Sequence, residues 1–174
     1  MTVGAPHHRL VLVRHAKSAY PYGVPDHDRP LAGKGRRNAQ AVGAWFVGEG
    51  PHPDLVICSD AQRARHTWEI VAAGILDPPP VRLEPRLYGA TSAEVIELAR
   101  SCDDGVHTLV MIGHEPTLSS TTLLLAGAGS DPTSLARVSA KFPTGAIAVL
   151  RLAGGWRDLA LGGAVLETFA VPRA

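Results

Sequence analysis

The chain is expected to fold as an α/β protein, a three-layer α/β/α sandwich around a mainly parallel central sheet. Three observations predict it. Residues 10–13 (Leu-Val-Leu-Val), 55–58 (Leu-Val-Ile-Cys) and 109–112 (Leu-Val-Met-Ile) are short continuous apolar runs bounded by polar residues, the form taken by strands buried on both faces. Stretches with helical spacing follow each of them, and strand–helix–strand order implies parallel neighbours with helices on both faces. The 174 residues, 45% hydrophobic and 19% charged, suit one globular domain, residues 1–174, with a real core.

The elements follow in order. Residues 3–6 read as an irregular start, and residues 10–13 as the first strand. Residues 19–30, rich in Pro, Gly and Asp, form a loop. A helix starts near Gly33 and turns an apolar face made by Ala39, Val42, Gly43, Phe46 and Val47; Gly50-Pro51 ends it. The second strand, Leu55–Cys58, runs into Ser59, read as the N-cap of the next helix. That helix carries Ala64, Thr67, Trp68, Val71 and Ala72 on one face and stops before Gly74 and Pro78-Pro79-Pro80. Val81–Leu83 is a short strand. Thr91 and Glu94 have capping-box spacing for a helix that runs to about Arg100. Residues 108–112 are the third strong strand, Pro116 fits the first turn of the helix after it, and residues 127–131 break that helix. Residues 146–150 and 165–171 are the last strands, the final one at an edge because Pro172 follows.

Each strong strand ends on a residue suited to phosphate: Arg14-His15 after the first, Arg63 just beyond the second, Gly113-His114-Glu115 after the third. In open α/β sheets, ligands bind beyond the carboxyl ends of the strands. A guanidinium offers a planar fork of donors that matches phosphate oxygens, and a neutral imidazole is a nucleophile towards phosphorus. Taken singly, each residue has an ordinary reading: a charged turn, a solvated helical arginine such as Arg65, a hydrogen-bonded loop histidine. Together, two arginines and two histidines at three strand ends are what phosphoryl transfer without a metal requires.

These stretches resemble the histidine phosphatase superfamily, the phosphoglycerate-mutase-like family. Arg14-His15-Ala16-Lys17-Ser18 is similar to its R-H-G/A signature. Residues 58–67, Cys-Ser-Asp-Ala-Gln-Arg-Ala-Arg-His-Thr, are similar to S-S-P-x-x-R-A-x-Q-T, with Asp60 for the proline and His66 for the glutamine. Residues 112–119 carry its G-H-E-P. The resemblance implies the phosphoglycerate-mutase-like fold, with Arg14, His15, Arg63 and His114 as catalytic residues and His15 as the nucleophile that becomes phosphorylated. Within the family the chain is most similar to the small SixA type, which acts on phosphohistidine in bacterial signalling proteins. The short length, Ala16-Lys17 and Asp28-Arg29-Pro30-Leu31 support this. The alternatives are a phosphatase of a small phosphate ester and a non-catalytic phosphate-binding module. Many members supply a glutamate as general acid near a Y-G pair. Here Glu84 precedes Tyr88-Gly89 one residue off that spacing and is read as a surface residue; Asp26 and Asp28 are the other candidates. A weak acid suits a phosphoramidate better than an ester, because the leaving imidazole needs less help.

Other expectations follow from composition. A net charge of +1 argues against a nucleic-acid partner or a polybasic membrane surface, and no apolar stretch has membrane-span length. Residues 1–9 lack the pattern of a signal peptide, so a cytoplasmic protein is expected. The partner is then a phosphorylated protein or a small phosphorylated substrate. The eight histidines show no metal-ligand spacing, so neither a metal nor another cofactor is expected. Cys58 and Cys102 read as reduced, buried thiols, and Trp45, Phe46 and Trp68 as core. His15 is expected to titrate somewhat below the ordinary ~6.5, with the rate falling there.

Overall fold

The computed structural model describes residues 7–174; the irregular start expected over residues 3–6 lies outside them. The strands are β1 (Arg9–Arg14), β2 (Leu55–Cys58), β3 (Val81–Leu83), β4 (Thr108–Gly113), β5 (Ile147–Leu152) and β6 (Ala164–Ala170). The helices are α1 (Gly33–Gly48), α2 (Gln62–Ala72), α3 (Ser92–Arg100), α4 (Thr117–Leu125) and α5 (Pro132–Ala140). One sheet has the order β3-β2-β4-β1-β5-β6. The four strands β3, β2, β4 and β1 are mutually parallel; β5 runs antiparallel to β1, and β6, antiparallel to β5, returns to the direction of the first four. β6 is an edge strand, as Pro172 predicts.

Side-chain alternation divides the core between the two faces of the sheet. Leu10 and Leu12 of β1, with Leu109 and Met111 of β4, pack against Val95 and Leu98 of α3, Leu118 and Leu125 of α4 and Val138 of α5. Val11, Val13, Val110 and Ile112 face the other way, against Val42, Trp45 and Phe46 of α1 and Trp68 and Val71 of α2. Each fully buried side chain of this size contributes roughly 1.5–3 kcal/mol. The runs are continuous in sequence because both faces are covered, which gives the three layers.

Four local readings are corrected. α5 was not anticipated; Asp131 caps it by accepting from the Ser134 N–H, with Pro132 in its first turn, and that Asp-Pro pair is its signal. Ser59 does not cap α2, whose N-cap is Ala61. Pro116 precedes α4 as its N-cap residue. Val47 falls on the apolar spacing of α1 yet is 64% exposed, because it borders an open hollow between α1 and α2 with Glu69, Ile70 and Ala73. Thr91 and Glu94 do form a capping box. Cys58 and Cys102 are buried and unpaired, and burial pushes the Cys58 thiol up to about 12.

Candidate active site

β2, β4 and β1 are consecutive in the sheet, and their ends are level. Arg14 pairs with Gly113 across β1–β4, and Cys58 with Ile112 across β2–β4. The residues that follow each strand therefore emerge at one rim. Arg14, His15, Arg63 and His114, the four residues singled out by sequence, all line one cavity of about 190 Å³ there, together with Lys17, Ser18, Tyr20, Arg29, Glu115 and Thr144. A larger hollow of about 730 Å³ between α1 and α2 is lined by Val47, Ile70, alanines and glycines with few charges, so size alone does not mark the chemistry.

The imidazole of His15 is 6% exposed and its tautomer is set by its two partners. Nδ1 lies 2.8 Å from the Ala16 carbonyl oxygen, which can only accept, so Nδ1 carries the proton. Nε2 lies 3.3 Å from Arg63 Nε, which can only donate, so Nε2 presents its lone pair. Burial, with the positive charges of His114, Arg63 and Arg14, lowers the His15 pKa to about 3, against a raising effect of the Ala16 hydrogen bond. The ring is thus neutral, as a nitrogen nucleophile must be. Thr67 fixes the backbone here: its Oγ1 accepts from the Ala16 N–H at 2.9 Å and donates to the Arg63 carbonyl at 2.7 Å.

His114 stands beside it, with ring centroids 5.2 Å apart. Burial is the main cause that lowers its pKa to about 4. Its Nε2 is 2.8 Å from Ser59 Oγ, which also accepts from the Ala61 N–H. Ser59 is thus a positioning residue for His114 and not a helix cap. His114 Nδ1 and Arg14 Nε are buried without a hydrogen-bond partner among the described residues, while Arg14 Nη1 is anchored on the Phe142 carbonyl at 2.8 Å. Buried polar groups are seldom left unpaired, and both residues line the cavity.

Arg63 is 6% exposed and held by Asp26, whose carbonyl and Oδ2 accept from Nη1 and Nη2 at 2.7 and 3.3 Å. Asp26 also accepts from the Tyr88 hydroxyl and from Arg29 Nε. These bonds, the one from Tyr88 foremost, lower its pKa to about 2, so it is an ionised anchor and not a protonated acid. Glu84 is buried, not a surface residue: its side chain caps a short 3-10 turn (Pro85–Gly89) and pairs with Arg86 at 2.9 Å. That pairing lowers it to about 2, and it does not line the cavity. Asp28 is exposed and meets His27 Nδ1 at 3.3 Å. Sequence reasoning missed Arg29, which lines the cavity and stacks 4.0 Å above the Tyr20 ring; its signal was the Asp28-Arg29-Pro30-Leu31 segment. Among the described residues, no group of three or more His, Cys, Asp or Glu is placed to hold a metal ion, and no helix is long and apolar enough to cross a membrane.

A level row of strand ends that carries two arginines and two neutral histidines defines a site of the phosphoryl-transfer class. Comparison with known proteins gives the family. The family model described as histidine phosphatase superfamily (branch 1) matches residues 10–90. A Mycobacterium tuberculosis relative, named as uncharacterized protein Rv1276c, is 49% identical over 162 residues, which cover 92% of this chain and all of the relative. A solved structure from Nakamurella multipartitia, assigned as a SixA phosphohistidine phosphatase, superposes with a TM-score of 0.85 at 36% identity, over 98% of this chain and 99% of that one. A protein histidine phosphatase SixA in complex with tungstate shares the fold, with a TM-score of 0.72 at 23% identity over 94% and 97% of the two chains. The chain belongs to the histidine phosphatase superfamily and is a phosphatase.

Proposed function

We propose that the protein removes phosphoryl groups from phosphohistidine on a protein substrate, through a phosphohistidine intermediate on His15 and without a metal. The observation that carries this reading is a neutral, correctly protonated nucleophile with no carboxylate poised as an acid: Asp26 and Glu84 are held ionised by their partners, and Glu115, which lines the cavity, accepts from the Ser119 N–H and hydroxyl. The Nε2 lone pair of His15 attacks phosphorus in line, and the bond from phosphorus to the substrate imidazole breaks. The equatorial oxygens are held by Arg14, Arg63 and His114. The leaving imidazole takes a proton on its far nitrogen from solvent and departs neutral, so no acid is needed at the breaking bond. Water then attacks the phosphorus on His15, inorganic phosphate leaves, and Nε2 regains its lone pair. An alkyl phosphate expels a much stronger base and would need a protonated acid, which neither Asp26 nor Glu84 supplies at neutral pH. The likeness to the Nakamurella multipartitia protein supports the same substrate class.

The test is a substrate panel: phosphohistidine protein, an activated aryl phosphate, and alkyl phosphates of sugars and glycerate, each with and without chelator. Phosphohistidine protein is expected to give the highest kcat/KM, unchanged by chelation. A faster alkyl phosphate would replace this reading with the small-ester one, and a chelation loss restored by a divalent ion would overturn the metal-free mechanism.

A further inference from the structure

Beside the catalytic cavity lies a second hollow of about 330 Å³, lined by Arg14, Lys17, Lys34, Asn38, Lys141 and Arg173. Five of these are cations, and no carboxylate lines it. None of the five forms an ion pair among the described residues. In a chain of net charge +1, that concentration is local.

Four separate segments bring the charges together. The first turn of α1 lies directly on the backbone of Lys17: a Cβ on Gly35 would stand 1.9 Å from the Lys17 carbonyl oxygen, so only glycine allows the approach. It sets Lys34 and Asn38 alongside Lys17. Lys141 follows α5, and Arg173 follows β6, where its Nη1 donates to the Thr144 carbonyl at 3.2 Å. Like charges crowded in this way repel one another, and an anion between them reverses the sign of that energy. Asn38 adds a neutral donor and acceptor to this lining: it is 4% exposed and lines the hollow. Arg14, Lys17 and Thr144 line both hollows, so the two share a wall and one substrate can reach both.

We propose that this hollow is a second anion subsite, which takes a carboxylate or phosphate carried by the substrate next to the phosphoryl group that is removed. The proposal rests on reading the neighbouring cavity as the phosphoryl site. An acidic side chain that flanks a phosphohistidine and the second acid group of a small phosphate present the same chemistry, and the arms of the test separate them.

Lys34→Gln and Lys141→Gln, combined in one variant, remove two charges without touching the catalytic cavity. Four substrates are compared: p-nitrophenyl phosphate, a phosphohistidine peptide with flanking Asp and Glu, the same peptide with Asn and Gln, and 3-phosphoglycerate. The double variant is expected to raise KM about tenfold for whichever acid-bearing substrate the wild type uses, and to leave kcat/KM for p-nitrophenyl phosphate and the neutral peptide within twofold. The arm that responds names the source of the anion. Equal effects on all substrates, or none on any, would overturn the subsite and leave the catalytic reading in place. Should the wild type turn over no substrate, the catalytic reading falls instead. Calorimetric titration with inorganic phosphate then decides the subsite: two sites in the wild type and one in the double variant support it, and equal numbers overturn it.

Discussion

Arg63 Nε donates to His15 Nε2 at 3.3 Å, and this bond, with the one from His15 Nδ1 to the Ala16 carbonyl, leaves the ring a single tautomer. The guanidinium therefore has two relations to the imidazole. It fixes where the lone pair points, and it keeps a positive charge close enough to oppose protonation of the ring.

The first prediction concerns the intermediate. His15→Ala is expected to abolish the acid-labile phosphoenzyme and to lower kcat/KM on the order of 10⁴-fold or more, the scale seen when an activated nucleophile is removed. Quench-flow with radiolabelled substrate measures the first and steady-state assay the second. A variant that keeps a tenth of the activity would remove His15 from the nucleophile's role.

The second concerns pH. The neighbouring arginines suggested a fall in rate somewhat below the ordinary imidazole value of ~6.5; burial carries it further, with His15 at about 3 and His114 at about 4. The kcat/KM profile is expected to show no loss attributable to His15 between pH 7 and pH 5, and to fall only as pH approaches about 4. Stability runs differently. Both histidines have folded values below their unfolded ones, so between about 3 and ~6.5 the unfolded chain binds more protons. The stability they confer is complete above ~6.5 and declines as pH drops through that window. The urea midpoint should fall from pH 7 to pH 5, and His15→Gln should flatten the slope; a slope unchanged by the substitution would contradict the assignment.

The third concerns the support of His15. Thr67→Val keeps the shape of a buried side chain but strands the Ala16 N–H and takes the hydroxyl donor away from the Arg63 carbonyl. A loss of about 1–3 kcal/mol in unfolding free energy is expected, with kcat reduced more than KM because His15 and Arg63 are then held less firmly. Equilibrium urea unfolding and steady-state kinetics provide the two readouts. Unchanged stability would mean that the backbone relaxes to new partners.

The fourth separates Glu84 from catalysis. Glu84→Gln is expected to leave kcat/KM for phosphohistidine protein within twofold. It should lower stability by about 1 kcal/mol through the weakened cap on the 3-10 turn. A large drop in rate with stability intact would show that the carboxyl acts on the substrate after all.

Much of the fold was legible because buried parallel strands are written as unbroken apolar runs, and the same runs located Arg14, His15, Arg63 and His114 at their ends. The two ends of the sheet were less so. Val81–Leu83 was legible as a strand, but with all three positions exposed its sequence carries no burial signal to place it in the sheet, and the reversal of β5 against β1 depends on connections that periodicity does not encode. Ser59 illustrates a second limit. A serine after a strand and before a helix fits an N-cap by spacing, but its hydroxyl goes to a histidine 55 positions away, and only the assembled sheet brings that partner within reach. Asp26 illustrates a third: its ionised state comes from Tyr88, Arg29 and Arg63, three residues scattered along the chain.

The grip of Asp26 on Arg63 bears on the last step of a turnover. An arginine that faced only the cavity would hold inorganic phosphate with its full charge, and the product would leave slowly. Here a resident carboxylate already occupies part of the guanidinium. As phosphate departs, Arg63 returns to a partner and not to isolation, so the emptied state is less unfavourable and dissociation meets a lower barrier. A site built this way gives up some ground-state affinity and gains resistance to inhibition by its own product.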